Sequence, residues 1–97
     1  MKHNIQNSTI ASQLLKVVDV IIELTSHGLL VEEVKYDLIS RPTITIEHHP
    51  YCKKMIDGGS ASYYMSGPDE SGLYQMGHFT VLGCRVVWKE RLTNRLH

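Results

Sequence analysis

At 97 residues the chain is one domain in size, and an apolar fraction of 42% with 21% charged residues argues for a folded core and against a disordered chain. Ten basic and ten acidic side chains cancel, so no long-range positive field draws the protein to phosphates, and autonomous sequence-specific nucleic-acid binding is not expected. Met1 to Asn4 leads into polar residues without a signal-peptide core, and Lys16, Asp19 and Glu23 interrupt the apolar stretch from Leu14 to Leu24. The reading is therefore no membrane span, a cytoplasmic location, and two reduced thiols at Cys52 and Cys84.

Residues 1–7 lack periodicity and read as a loose tail ahead of Ser8 and Thr9, either of which suits a helix N-cap. Ile10, Leu14, Val17, Val18, Ile21 and Leu24 then recur at three- and four-residue spacing, the mark of an amphipathic helix. Leu15, Val20 and Ile22 widen the apolar stripe beyond what packing on a single sheet requires, which points to a second contact surface. His27-Gly28 closes the helix, with Gly28 suited to the left-handed C-terminal position and His27 at the negative end of the dipole.

Leu29 to Leu38 fits helix or strand. Arg41-Pro42 and the alternating β-branched run Thr43-Ile44-Thr45-Ile46-Glu47 favour two antiparallel strands joined near residues 39–42, with Ile44 and Ile46 facing the helix. After His48-His49-Pro50, the segment from Tyr51 to Ile56 reads as one helical turn or a bridging loop, and Asp57-Gly58-Gly59-Ser60 as a loop. Ser62 to Met65 is a brief extended piece, and 66–72 a projecting loop rich in turn formers. Phe79, Val81, Cys84, Val86 and Trp88 alternate on either side of Gly83, which reads as a bulge or bend, and Lys89 to His97 as a charged end with one helical turn. The expected architecture is α+β, a single small domain over 1–97, with one long N-terminal amphipathic helix on a small antiparallel sheet of about three strands.

His48, His49, Cys52, His78 and Cys84 are the residue types that zinc selects, but no C-x-x-C pair is present and neither downstream residue has a close partner in sequence. The spacing argues against a metal site and no cofactor is expected; a small zinc-binding adaptor or nucleic-acid module is the alternative reading. No nucleophile stands beside a recognisable base, orienting acid and oxyanion loop, so an enzyme is not expected either. Tyr63, Tyr64, Met65 and Tyr74 flank Gly67, Pro68 and Asp69, and serve either as core filling or as a partner-binding surface. At Gly67-Pro68 the glycine removes side-chain bulk before a slowly isomerising bond. That combination suits a cyclophilin-type prolyl isomerase, against the simpler reading of an ordinary trans turn.

The size of the chain, the prolines Pro42, Pro50 and Pro68, and the Ser66-Gly67-Pro68-Asp69 loop resemble the second anti-RecBCD protein of lambdoid phages, the Abc type. The resemblance implies a protein that acts in the host cytoplasm by binding the RecBCD helicase-nuclease, through its RecC subunit. It also implies that binding alters the processing of DNA ends in favour of phage recombination. It implies no catalytic residues.

Overall fold

A computed structural model describes residues 2–37 and 39–92, with side chains from Gln6 onward. The elements are α1 (Lys2–Ser26), β1 (Val31–Lys35), β2 (Thr43–Ile46), α2 (Pro50–Asp57), β3 (Ser62–Asp69), β4 (Gly72–Val81) and β5 (Cys84–Arg91). The strands form one sheet in the order β1-β2-β5-β4-β3. All neighbours are antiparallel except β2 and β5, which run parallel from Thr43↔Arg85 to Ile46↔Trp88. A parallel pair needs a long crossover, and here the connection is α2 together with the whole β3–β4 hairpin.

Local chemistry accounts for the element ends. Gly28 adopts φ 79°, Leu29 N–H donates to Leu24 O and Gly28 N–H to Thr25 O, so the last carbonyls of α1 are satisfied as the chain turns toward β1. Short as it is, α2 is well capped. The His49 ring accepts from Tyr51 N–H at 3.0 Å, and Pro50 sits at the first helical position, where a missing N–H costs nothing. Leu82 and Gly83, at φ 50° and 80°, form the tight turn closing β4 on β5, with Val81 paired to Cys84.

The core lies between one sheet face and the two helices. Val17, Val20 and Leu24 of α1 and Cys52 and Met55 of α2 meet Ile44, Ile46, Cys84, Val86 and Trp88, all buried. Alternation along β2 and β5 delivers these residues to one side, and burying each large aliphatic side chain contributes about 1.5–3 kcal/mol. No helix among the described residues covers the opposite face, which carries Thr43, Thr45, Arg85, Lys89 and Arg91.

Several sequence expectations are corrected. The sheet is mixed and five-stranded, larger than the antiparallel sheet of about three strands, because 66–72 is no loop and the material after Tyr74 is two strands. Residues 66–69 complete β3 and pair with Gly72 to Gln75, leaving Glu70 and Ser71 as the turn. Gly83 marks a reversal of the chain, not a bulge; strands on both sides place apolar residues on one face, so periodicity alone reads as one interrupted strand. Residues 2–7 belong to α1, since an N-cap preference of about 1 kcal/mol at Ser8 or Thr9 does not oblige a helix to begin there. The segment after Pro50 is a two-turn helix held by Cys52 and Met55 in the core, beyond its intrinsic propensity. Arg91 extends β5, and the helical turn expected in the charged end falls partly on 93–97, outside the described residues. The descent of Ile44 and Ile46 into the core and the antiparallel pairing of β1 with β2 stand as expected, whereas β1 ends already at Lys35 and its connection to Thr43 is longer than residues 39–42.

Candidate functional site

The seven residues singled out from sequence all fall on the β3–β4 hairpin, and the fold divides them between its two faces. The division starts at a bulge between Tyr63 and Met65, where one strand carries an extra residue. Tyr63 lies opposite Gly77, which pairs with Trp88, and so shares the helix side of the sheet. Tyr64, displaced by the bulge, turns to the uncovered side. Its ring meets His78 edge-on at 4.8 Å, and the Arg85 guanidinium stands 4.5 Å above it. Met65 follows to the same side, its sulfur 3.9 Å from the Tyr74 hydroxyl.

On the uncovered face Asp69 anchors the hairpin tip. Its carboxylate accepts from Arg91 Nη1 at 2.6 Å, from Lys89 Nζ at 2.8 Å and from Ser71 N–H at 2.8 Å within the turn. Hydrogen bonds from Arg91 and then Lys89 hold its carboxyl well below the usual 3.8. Lys89 Nζ also lies 4.4 Å from the centre of the Tyr74 ring, and that ring covers Gly67, where a Cβ would be in ordinary contact with it. Tyr64, Met65, Gly67, Asp69 and Tyr74 thus form one aromatic and thioether surface tied to cations of β5.

On the helix side Tyr63 joins a different cluster. Glu90, with a side chain 18% exposed, accepts from Tyr63 Oη at 3.0 Å, Gln75 Nε2 at 3.1 Å and Trp88 Nε1 at 3.3 Å, and His48 Nε2 stands 3.3 Å away. Burial raises the Glu90 carboxyl, but the hydrogen bonds from Gln75, Trp88 and Tyr63 and the charge of His48 outweigh it and leave the group below 4.5. Burial, followed by the Glu90 hydrogen bond, pushes the Tyr63 hydroxyl up, so it remains a donor. Pro68, opposite the half-exposed Leu73, completes this side near the tip. The described residues contain no cis peptide bond, so Gly67–Pro68 is trans. β3 is an edge strand, where a proline's missing N–H is tolerated.

Sequence reasoning overlooked Glu90, Gln75 and the cations Arg85, Lys89 and Arg91, and weighed His48 only as a metal ligand. A signal for the cations exists in the period-two spacing of Arg85, Val87, Lys89 and Arg91 opposite Cys84, Val86, Trp88 and Glu90. A carboxylate in step with a buried tryptophan is the matching signal for the Glu90 cluster.

Glu90 is occupied by donors; Cys52 and Cys84 are buried with their thiols pushed up by burial, which disfavours the reactive thiolate. His78 is pushed down by burial and by Arg85 and Arg41, toward the neutral form. Among the described residues no three His, Cys, Asp or Glu side chains are grouped to hold a metal ion. One groove, of about 240 Å³ and walled by Leu24, Tyr51, Met55 and Phe79, lies below the usual range of small-molecule pockets, about 300–1,000 Å³, and a more open one of about 380 Å³ beside Glu47, His48, Lys89 and Arg91 lies near its lower end. No described helix is long and apolar enough to cross a membrane.

The chain belongs to a family described as an uncharacterised protein, whose model matches residues 2–91. No curated protein and no solved structure matches it.

Proposed function

We propose that this chain is a non-enzymatic binding protein whose β3–β4 hairpin docks on a larger protein and alters what that partner does. The observation that carries the reading is the exposure of Tyr64 and Met65 together on the uncovered face of an edge hairpin stiffened by Asp69. Aromatic and methionine side chains are enriched in protein interfaces, and holding them in place beforehand lowers the entropy cost of docking. The resemblance to the Abc type selects the partner: the host RecBCD helicase-nuclease, engaged through RecC, with end processing redirected toward phage recombination. The site of action under this reading is the host cytoplasm. The chain supplies contacts, not catalysis, and needs neither cofactor nor sequence-specific contact to DNA.

The test is digestion of linear double-stranded DNA by RecBCD at saturating amounts of the purified chain. Altered nuclease activity or an altered response to Chi is expected, together with capture of RecBCD by the immobilised chain. Tyr64→Ala with Met65→Ala should weaken capture at least tenfold while leaving the circular dichroism spectrum unchanged. Digestion unchanged at saturation would refute the RecBCD assignment.

A further inference from the structure

A net charge of zero conceals a segregation that the fold produces. On the sheet face that no described helix covers, Lys35 of β1 lies across from Thr43 of β2, and Thr43 across from Arg85 of β5, because their neighbours Ile44 and Val86 point into the core. Lys89 and Arg91 continue the same face along β5, where Asp69 holds both. Lys35 and Arg41 are exposed and enter no ion pair or side-chain hydrogen bond among the described residues, although Glu33 shares the face one row from Lys35. The unneutralised charge therefore gathers at the end of the face where Lys35, Arg41 and Arg85 lie.

Arg85 is fixed at its base and free at its tip. Its Cζ lies 4.5 Å from the centre of the Tyr64 ring, and its Nε donates to His78 Nδ1 at 3.4 Å, which leaves both terminal nitrogens without an acceptor among the described residues. Arg85 pairs with Thr43 on one side and Thr80 on the other, whose hydroxyls also have no partner there. A positioned guanidinium fork between two hydroxyls is a donor set that suits the oxygens of a phosphate. Burial, and then the charges of Arg85 and Arg41, hold His78 toward its neutral form, so both arginines act on one region of the face.

The rings select among phosphate-bearing ligands. Tyr64 stands exposed at the Arg85 end, and Tyr74 lies opposite Arg91, six residues or about 20 Å along β5. A free phosphate or a phosphorylated side chain would use the Arg85 end alone. A single nucleic-acid strand repeats phosphate and open base along its length, and so matches cations and rings spread over the whole face, whereas a duplex keeps its bases stacked inside. Phosphates and base faces carry little sequence information, which agrees with the absence of any expected sequence-specific contact.

We infer that the uncovered sheet face binds single-stranded nucleic acid without sequence preference, with phosphates on Lys35, Arg41 and Arg85 and a base against Tyr64. The inference goes beyond the RecBCD reading and does not rest on it, although Tyr64 belongs to both surfaces.

Fluorescence anisotropy of a labelled oligothymidylate of about 20 nucleotides, titrated with the full chain at about 50 mM salt without RecBCD, tests it. Binding in the micromolar range is expected, weakening with salt at a log–log slope near −2, about 0.7 for each of roughly three phosphates. Arg85→Gln and Arg41→Gln should each weaken binding about three- to tenfold and make the slope shallower by about 0.7, with unchanged circular dichroism. Tyr64→Leu should weaken it about tenfold with the slope unchanged, which marks a stacked base and not charge alone. No binding at on the order of 100 µM protein overturns the inference. So does equal affinity for a duplex or for poly-glutamate, the latter making the face a site for acidic peptides, and so does a Tyr64→Leu variant that binds as the wild type does. Since RecBCD is absent from the assay, each of these results leaves the docking reading to its own capture experiment.

Discussion

Gly77 lies directly opposite Trp88 across β4 and β5, and the indole fills the space that a Cβ at position 77 would need. The six-membered part of the ring packs against bare backbone, which lets the single tryptophan of the chain sit fully buried between sheet and helices. Gly77→Ala forces the indole out of its place or the two strands apart. A loss of about 2–3 kcal/mol is expected, read as a lower urea midpoint with a red-shifted tryptophan emission. An unchanged midpoint would mean that the ring has room the structure does not provide.

Glu90 gathers donors from three other strands or their flanks, so removing it strands more than one group. Glu90→Ala leaves Trp88 Nε1 without its acceptor in a mostly buried site, and should cost about 2–3 kcal/mol. Tyr63→Phe alone should cost about 1 kcal/mol, and far less in the Glu90→Ala background. Additive losses in that double-mutant cycle would rule out the shared network.

Asp69 makes the hairpin tip sensitive to acid. Its carboxyl is held below the usual 3.8 in the folded chain, so its contribution is complete above that value and disappears as pH falls through the lower folded value. Thermal midpoints of wild type and Asp69→Asn should therefore converge between about pH 5 and about pH 2, the wild type being the more stable at the upper end. Parallel curves across that range would show that the Arg91 and Lys89 contacts do not persist in solution.

Pro68 is exposed on an edge strand, two residues from Ser66 and next to the turn, with no strand on its outer side. The free strand edge and the absence of side-chain bulk at Gly67 leave the bond open to approach, so a host isomerase of the cyclophilin type is expected to bind the wild type. Pro68→Ala should abolish the association with the core intact, because no buried apolar contact is lost. Equal retention of both proteins in a pull-down, or retention of neither, would reduce Pro68 to an ordinary strand residue.

What the sequence by itself determined is what depends on neighbours along the chain. The three- and four-residue spacing from Ile10 to Leu24 encodes α1, Gly28 ends it, and alternation from Thr43 to Ile46 sends Ile44 and Ile46 inward, whatever lies elsewhere. The surplus of Leu15 and Ile22 on the helix was legible too, since a wheel shows more apolar surface than one contact can cover. Only the tertiary structure decided which strands pair. β2 and β5 pair residues 42 positions apart, and the same alternating pattern suits an antiparallel neighbour equally well. It also decided the fate of the Tyr63-Tyr64-Met65 run. A single bulge, set by register against β4, sends Tyr63 to Glu90 and Tyr64 to Arg85, and no local preference specifies where a register shifts. Helix signals travel through bonds between near neighbours, whereas sheet order and register come from side chains that meet only after the chain has folded back on itself.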